Sequence, residues 1–529
     1  MVKRKNKKKQ KTEKVFNDHK QNAKIFTPPI VATLSDRLQF TKWADDLLPN
    51  LVWMGLLFDG LGERKAISIC ENYVSIVKDI LGDKDRKILS FISEYSSITD
   101  EQVEKIKNAL SAKNILIEIQ ETLYPLVSLY SKCPLKFLYN ENEMEKSKID
   151  IDRSLSIMKR VVKNILDRKS RDAMLVQTNA VYIMWITGML RFAEGSLLGD
   201  IETISDYPKT DESKKVAASI RATLGAVRSL YDNKEALEWS TYFWNHGYEI
   251  SVCEIQKPLF AELNEKQEKS LDKIYSTVKE YQSRLFKEVE ELWQKSNINI
   301  SDPIEDEVLV GLIARQARLA TAVTSDDRMW TPDLGRIIQR CMVDTHITLT
   351  WLIKEGKHQD FEKFIEYGLG QEKLLLEHLK IGLDESDPGF KVKSEEIEYR
   401  RGWIDSQILS NFLPVNVGNW TTKNIRKMAE EAKCLDIYNL SYTPFSNTVH
   451  GMWNTIARLN LKFCINPLHK FHRIPSLEQP PVYLGIIVQT MEIMNLSFMQ
   501  WADFKGVKIK AQTSSADLIE EINKILLEI

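Results

Sequence analysis

Apolar residues recur along most of the chain at steps of three and four, the period at which side chains share one face of an α-helix. Residues 261–295 carry a narrow apolar stripe among charged residues, which is typical of one long helix. Runs of alternating or β-branched residues between turn signals are nearly absent from the sequence. The pattern therefore predicts an all-α fold, with multi-helix bundles in at least two domains.

Clusters of proline, glycine and polar residues interrupt the helical periods and predict the domain boundaries. Polar residues over 297–303 end the long helix, and Asp302–Pro303 is typical of the start of the next one. Residues 466–482 contain four prolines and separate the last two predicted helices. The expected organisation is a disordered Lys-rich tail over 1–26, an N-terminal helical region over 27–298 with a break near 140–150, a C-terminal helical domain over 299–475, and C-terminal helices over 476–529 that pack on the body.

Basic residues are concentrated at the start of the chain. The formal net charge of the whole chain is −1, yet residues 1–14 contain eight basic residues against Glu13. A basic tail can bind nucleic acid through its phosphates, lie on an anionic membrane, or simply keep the chain in solution. The residues that would contact RNA or DNA are Lys3, Arg4, Lys5, Lys7, Lys8, Lys9 and Lys11.

The six cysteines are scattered, and none forms a Cys-x-x-Cys pair. Scattered cysteines in a large chain are typical of free thiols in a reducing compartment, and no apolar segment follows the basic start as in a secretory signal. The most apolar stretches are too short or too polar to cross a bilayer. We therefore expect a cytoplasmic protein with no integral membrane segment, no metal site and no cofactor. A surface loop explains His469 and His472 better than a metal does.

A predicted helix over residues 444–461 carries a polar stripe on an otherwise apolar surface. The stripe consists of Asn447, His450, Asn454 and Arg458. Because unpaired buried polar groups are costly, the stripe must either join a hydrogen-bond network with another helix or face a ligand such as an RNA phosphate. Arg400, on a separate predicted helix, could reach the stripe. The candidate catalytic residues are then His450 as general acid or base, Asn447 and Arg400.

A helix over residues 334–353 contains arginines, and a second helix later contains the motif Ser446-Asn-Thr-Val-His450-Gly451. This pair of features resembles a bacterial all-helical domain of unknown function, and the resemblance covers residues 305–475. It implies a helical bacterial protein, and it carries over no activity, because that domain has none established.

Arg340, in the first of those helices, takes part in a second, distant resemblance. Arg340 and His346 have five residues between them, which is similar to the spacing in HEPN ribonucleases, helical proteins that cleave RNA without a metal. On a regular helix these two side chains lie about 120° apart, which argues against a shared site. Arg340 and Asp344, at i and i+4, instead predict a structural ion pair. Asp344 or His346 stands where the helical domain of unknown function would have a glutamate.

These patterns favour a helical interaction protein of the bacterial cytoplasm. It would bind a protein partner, or a second copy of itself, through its helical faces and nucleic acid through its basic tail. The alternative is a HEPN-like, metal-independent ribonuclease of a stress or phage-defence system. The ribonuclease requires His450 exposed in a basic cleft near an arginine, whereas the interaction protein predicts a buried, hydrogen-bonded His450. No motif in the sequence decides whether the chain is an enzyme.

Overall fold

Helices form nearly all of the regular secondary structure in the computed structural model of the protein. The residues that the structure describes are 20–22, 25–29, 42–82, 98–140, 150–188, 190, 197–225, 234–255, 265–478, 480, 482–509 and 512–527. Over these residues the all-α prediction is confirmed, and none of their helices has the length and apolar character needed to cross a membrane. The chain divides into unit 1, residues 1–256 and 463–473, and unit 2, residues 257–462 and 474–529.

Unit 1 is organised around one helix whose residues from Leu48 to Leu57 are all buried. Its α-helices are α1 (Leu48–Leu61), α2 (Glu63–Leu81), α3 (Asp100–Ala112), α4 (Leu116–Leu129), α5 (Ile151–Leu166), α6 (Arg171–Ile186), α7 (Asp211–Gly225) and α8 (Lys234–Glu249). Helix α1 is apolar around its whole circumference, as expected of a helix surrounded by others, and it packs against α2, α4, α5, α6 and α8. Trp239 of α8 donates its indole N–H to the Pro49 carbonyl at 2.9 Å, which fastens α8 to α1.

Unit 2 has a core of three helices that pack against one another, α10, α11 and α18. Trp330, Trp351 and Trp501 are among its fully buried side chains. The α-helices of unit 2 are α9 (Glu265–Lys295), α10 (Ile304–Ser325), α11 (Leu334–Glu355), α12 (His358–Ile381), α13 (Phe390–Asp405), α14 (Ile425–Glu431), α15 (Leu435–Ile437), α16 (Thr443–Val449), α17 (Trp453–Leu459), α18 (Gly485–Phe504) and α19 (Ser514–Leu527).

Short 3-10 and π-helical turns and two small strand pairs complete the described structure. The 3-10 turns are Pro134–Leu138, Leu197–Asp206, Asp327–Trp330, Ser410–Phe412 and Pro467–His469, and the π-helical turns are Trp43–Leu47 and Tyr438–Tyr442. The strands are β1 (Lys20–Asn22), β2 (Ile25–Thr27), β3 (Leu461–Phe463) and β4 (Arg473–Pro475). Strand β1 pairs antiparallel with β2, with Lys20 opposite Thr27, next to and partly within the tail that the sequence predicts to be disordered. Strand β3 pairs with β4.

The division into units differs from the boundary predicted between residues 298 and 299. Helix α9 is part of unit 2, because its apolar stripe lies in the core of that unit, where the Tyr281 hydroxyl hydrogen-bonds the Ser515 hydroxyl of α19 at 2.7 Å. The predicted C-terminal domain and the helices after residue 475 share this core and do not form separate bodies. Residues 463–473 instead belong to unit 1. The predicted break near 140–150 falls mostly on residues outside those described.

Candidate functional site

The first turn of α11 is packed against its neighbours so tightly that it requires glycine. A Cβ at Gly335 would lie 2.3 Å from the Met329 carbonyl oxygen and 2.5 Å from the Ile486 side chain. No larger residue fits between those atoms without displacing backbone. Arg336, the next residue along α11, is therefore held in a defined position, where it faces a cavity of about 470 Å³.

A break in the predicted helix over 444–461 forms the opposite side of this cavity. Helix α16 ends at Val449 and α17 begins at Trp453, and between them Gly451 has φ +57°, the left-handed conformation that glycine adopts without strain. The Met452 N–H turns back to the Asn447 carbonyl at 2.8 Å. The polar stripe is therefore not continuous. The break places Asn447 of α16 together with Asn454 and Arg458 of α17 in the cavity lining, and it leaves His450 out of that lining.

Two arginines of like charge, Arg336 and Arg458, face the cavity, and its lining contains no acidic residue. The Arg336 guanidinium is half-buried and stacks on the Phe445 ring, 5.0 Å from the ring centroid. Burial lowers the pKa of Arg336 from its ordinary value; the positive charge of Arg458 adds to this shift, and Tyr483 opposes it. Arginine side chains are not deprotonated in proteins. None of the ion pairs among the described residues involves either arginine, so a bound anion would relieve their mutual repulsion.

Neutral hydrogen-bonding groups surround the two arginines. Asn447, Thr448, Asn454 and Thr455 all line the cavity. The side chains of Asn447 and Asn454 make no hydrogen bond to another described residue, although each carries two N–H donors. Charged and neutral donors around an open cavity suit an oxyanion such as a phosphate, which accepts several hydrogen bonds at once.

Arg340, one turn after Arg336 on α11, is committed to contacts within the protein. Its guanidinium forms an ion pair with Asp344, donates Nε–H to the Ser446 hydroxyl at 2.7 Å and stacks 3.4 Å from the centroid of the Tyr442 ring. Burial raises the pKa of Asp344, against the lowering effect of the hydrogen bond from Arg340. Arg340 therefore joins α11 to α16 and is not available to a ligand in the way that Arg336 is.

The structure brings only one of the three predicted catalytic residues to the cavity. Asn447 lines it, whereas His450 is exposed where α16 ends. Arg400, on α13, is ion-paired with Glu372 at 2.7 Å and with Glu396 at 2.9 Å, and these carboxylates neutralise its charge. Among the described residues, the side-chain contacts of Arg400 are therefore with carboxylates of α12 and α13, and none of its hydrogen bonds or ion pairs is with His450. The basic residues predicted to bind nucleic acid, Lys3 to Lys11, lie outside the described residues.

His346, the partner of Arg340 in the HEPN comparison, does not line the cavity either. It is buried, and its Nδ1 lies 2.9 Å from the Ser497 hydroxyl of α18.

Part of the chain is similar to a known protein family. Residues 306–463 match the family of unknown function DUF5677. No curated protein and no solved structure matches the chain.

The DUF5677 segment runs from the start of α10 to the end of β3 and contains every lining residue named above except Tyr483. The sequence indicated Arg336 and Arg458 separately, the first in the arginine helix and the second in the polar stripe. It did not indicate that they share a cavity. The only local signals for this were Gly335 immediately before Arg336 and Gly451 between the two halves of the stripe.

Proposed function

We propose that the cavity between α11, α16 and α17 binds a phosphate of single-stranded nucleic acid, and that the protein is a nucleic-acid-associated helical interaction protein. The observation that carries the proposal is the pair Arg336 and Arg458, two cations facing one cavity whose lining has no acidic residue. Arginine suits this task because its planar fork can donate two parallel hydrogen bonds to a phosphate. Asn447 and Asn454 add neutral donors beside it.

An exposed aromatic side chain next to the cavity favours a single strand over a duplex. Trp453, the first residue of α17, is 62% exposed and immediately precedes Asn454 of the lining. Proteins that hold single strands combine positive charge along the backbone with aromatic rings on which bases stack, and each stacked base contributes about 1–3 kcal/mol. In a duplex the base faces are already stacked and do not reach such a ring. Trp453 would therefore stack a base whose phosphate lies in the cavity.

His450 is exposed, which the ribonuclease alternative required and which contradicts the buried His450 predicted for an interaction protein, but the other residues of that alternative do not join it. Arg340 is ion-paired with Asp344, and His346 is buried against Ser497. His450 is exposed, but it does not line the basic cavity. A general acid or base must reach the proton it transfers, and none of these histidines faces the arginine pair.

Binding of a fluorescently labelled single-stranded oligonucleotide to the full-length protein, measured by anisotropy across a salt series, tests the proposal. Arg336→Gln and Arg458→Gln should each weaken binding about tenfold at low salt, equivalent to about 1.4 kcal/mol. Each should also reduce the slope of log K against log salt by about one phosphate contact, or roughly 0.7 for a single strand. Trp453→Ala should weaken binding while leaving that slope unchanged, because stacking releases no counterion.

Arg400→Gln is the matched control, since it removes the same charge from the same unit at an arginine that two carboxylates already neutralise. It should bind like the wild type. Deleting residues 1–14 separates the basic tail from the cavity, and the truncated chain should keep its sensitivity to Arg336→Gln. The proposal is wrong if Arg336→Gln and Arg458→Gln both bind like Arg400→Gln at every salt concentration, or if the full-length chain binds no oligonucleotide at low salt.

A further inference from the structure

Two cysteines and two histidines that are distant in sequence meet in unit 1. They are Cys253, Cys464, His469 and His472, and one donor atom from each lies within 4.8 Å of the others. Cys253 follows α8, whereas the other three come from residues 463–473, the second segment of unit 1. His469 is buried, so it is not the surface-loop residue that the sequence suggested. These four side chains are potential metal ligands, and they belong neither to the lining of the arginine cavity nor to the DUF5677 segment.

Three of the six distances between the donor atoms are close to the edge of a metal-centred tetrahedron, and all six are within 4.8 Å. His469 Nδ1 lies 3.5 Å from the Cys253 sulfur and 3.4 Å from the Cys464 sulfur, and His472 Nε2 lies 3.3 Å from the Cys253 sulfur. With Zn–S near 2.3 Å and Zn–N near 2.0–2.1 Å, an S···N edge of a tetrahedral zinc site is about 3.6 Å. All three measured distances lie close to that value.

Backbone hydrogen bonds hold the loop in this arrangement. The Cys464 N–H donates to the His472 carbonyl at 2.9 Å, and the His472 N–H donates to the His469 carbonyl at 3.1 Å. Lys470 and Phe471 both adopt left-handed backbone conformations, with φ of 55° and 50°. Non-glycine residues rarely adopt this conformation, and two in succession turn the chain so that His469 and His472 face the same point.

Backbone pairing of the residues that follow Cys253 holds this cysteine beside the loop. The Ile465 N–H donates to the Glu254 carbonyl at 2.8 Å, and Ile255 forms an isolated antiparallel bridge with Cys464. These bonds place the segment after Cys253 directly beside Cys464. A pair of cysteines more than 200 residues apart is thus brought together by the backbone of both segments.

The hydrogen bonds around His469 assign the tautomer that a metal requires. The Ser251 hydroxyl donates its only hydrogen to the Gly247 carbonyl at 2.8 Å, and it accepts a hydrogen bond from the Asn466 amide at 3.0 Å. Its contact with His469 Nε2, at 3.0 Å, is therefore one in which His469 donates Nε2–H. The lone pair of a neutral His469 is then on Nδ1, which faces the two sulfurs. Metal-bound histidines commonly donate their other ring N–H in this way.

We propose that Cys253, Cys464, His469 and His472 bind one zinc ion as a closed, tetrahedral structural site. Two thiolates and two imidazoles suit Zn²⁺, and four protein ligands leave no open position for a substrate. On binding, each cysteine thiol releases its proton to solvent and its sulfur bonds the ion, while the histidines bind through neutral nitrogens. The ion would join the chain after α8 to residues 463–473 and so tie together the two segments of unit 1.

The first test is the zinc content of full-length protein from zinc-supplemented cells, purified without chelator and measured by mass spectrometry of the metal. Wild type should carry one zinc per chain, and Cys253→Ser and His472→Ala should lose it. Both are suitable variants, because Cys253 is exposed and His472 is only half-buried, so neither change opens a cavity in the core. Cys434→Ser and His378→Ala are the matched controls, since they remove the same residue types from unit 2, and both should retain one zinc.

A second measurement does not depend on any variant. Wild type stripped of metal and titrated with Co²⁺ should show the intense visible bands of tetrahedral cobalt together with thiolate-to-cobalt charge-transfer bands, and added Zn²⁺ should abolish them. Absence of these bands would overturn the proposal. So would zinc that Cys253→Ser retains, or a Cys253–Cys464 disulfide found by peptide mass spectrometry in protein prepared under reducing conditions.

Discussion

Acidification should destabilise unit 2 through His346, which lies between α11 and α18. The Ser497 hydroxyl donates to the Ile493 carbonyl at 3.0 Å and accepts from the Gln316 amide at 2.8 Å. His346 must therefore donate Nδ1–H to Ser497, an arrangement that a neutral imidazole satisfies. Burial, together with the positive charge of Lys354, lowers the pKa of His346 from 6.5 to about 4.

The magnitude of the effect follows from these two pKa values. Because the folded pKa lies below the unfolded one, the unfolded chain binds more protons, and the contribution of His346 to stability is present above pH 6.5 and is lost as the pH falls toward 4. Over the whole window the loss is about 3 kcal/mol, at about 1.4 kcal/mol per pKa unit. Between pH 7 and pH 5 it is about 2 kcal/mol, a large share of the roughly 5–15 kcal/mol that stabilises a typical domain.

Urea unfolding of the wild type and of His346→Gln at pH 7 and pH 5 measures this contribution. Glutamine can still donate to Ser497 but does not titrate, so the variant is expected to lose about 2 kcal/mol less than the wild type on acidification. Other titrating groups cancel in this comparison. Exposed His450 is the control, and His450→Gln should show the pH dependence of the wild type. Equal losses in the wild type and His346→Gln would refute the reasoning.

Three further experiments, each measured by thermal or urea unfolding, test the packing of the units and a buried ion pair. Gly335→Ala should destabilise unit 2, because the added Cβ would lie 2.3 Å from a backbone oxygen. The control is Gly311→Ala, in an open position on α10, which should be neutral or stabilise by up to about 1 kcal/mol. Equal effects of the two substitutions would contradict the packing argument. Leu468→Ala should cost unit 1 about 2–5 kcal/mol, since Leu468 is fully buried, and a loss below about 1 kcal/mol would show that it is not core. Lys505→Met should lower the free energy of unfolding by about 3–5 kcal/mol, because it leaves Asp306 buried without its counter-charge. Adding Asp306→Leu should restore most of the lost stability. If it restores none, loss of the ion pair is not the cause.

Helical periodicity was sufficient to predict the fold class, because it depends on side-chain spacing along a single element. Helix α9, whose apolar stripe was identified from the sequence, extends from Glu265 to Lys295 as one helix. The same reasoning missed the break between α16 and α17. The polar stripe keeps its spacing across Gly451, and apolar spacing carries no information about a single residue with positive φ. The division into units could not be predicted from the sequence either, because it depends on which hydrophobic core contains the apolar stripe of α9.

The candidate sites depend on contacts that sequence spacing does not encode. Arg400 and Arg336 are the same residue type on amphipathic helices, yet Glu372 and Glu396 neutralise the first, and no acidic residue lines the cavity that the second faces. The cysteine–histidine cluster was missed for a related reason. A short spacing such as Cys-x-x-Cys reveals a metal site only when the ligands are close together in the sequence. Here Cys253 comes from a different segment of the chain than the other three.

The discontinuity of unit 1 has a consequence for the order in which a ribosome completes the protein. Leu468 is part of the core of unit 1, yet the roughly 200 residues of the first segment of unit 2 are synthesised between α8 and Leu468, which takes roughly 10–40 s at about 5–20 residues per second. During that interval the nascent helices of unit 1 lack the side chain that closes their core beside Gly247. The amino-terminal unit therefore reaches its final packing only after most of the chain has been translated.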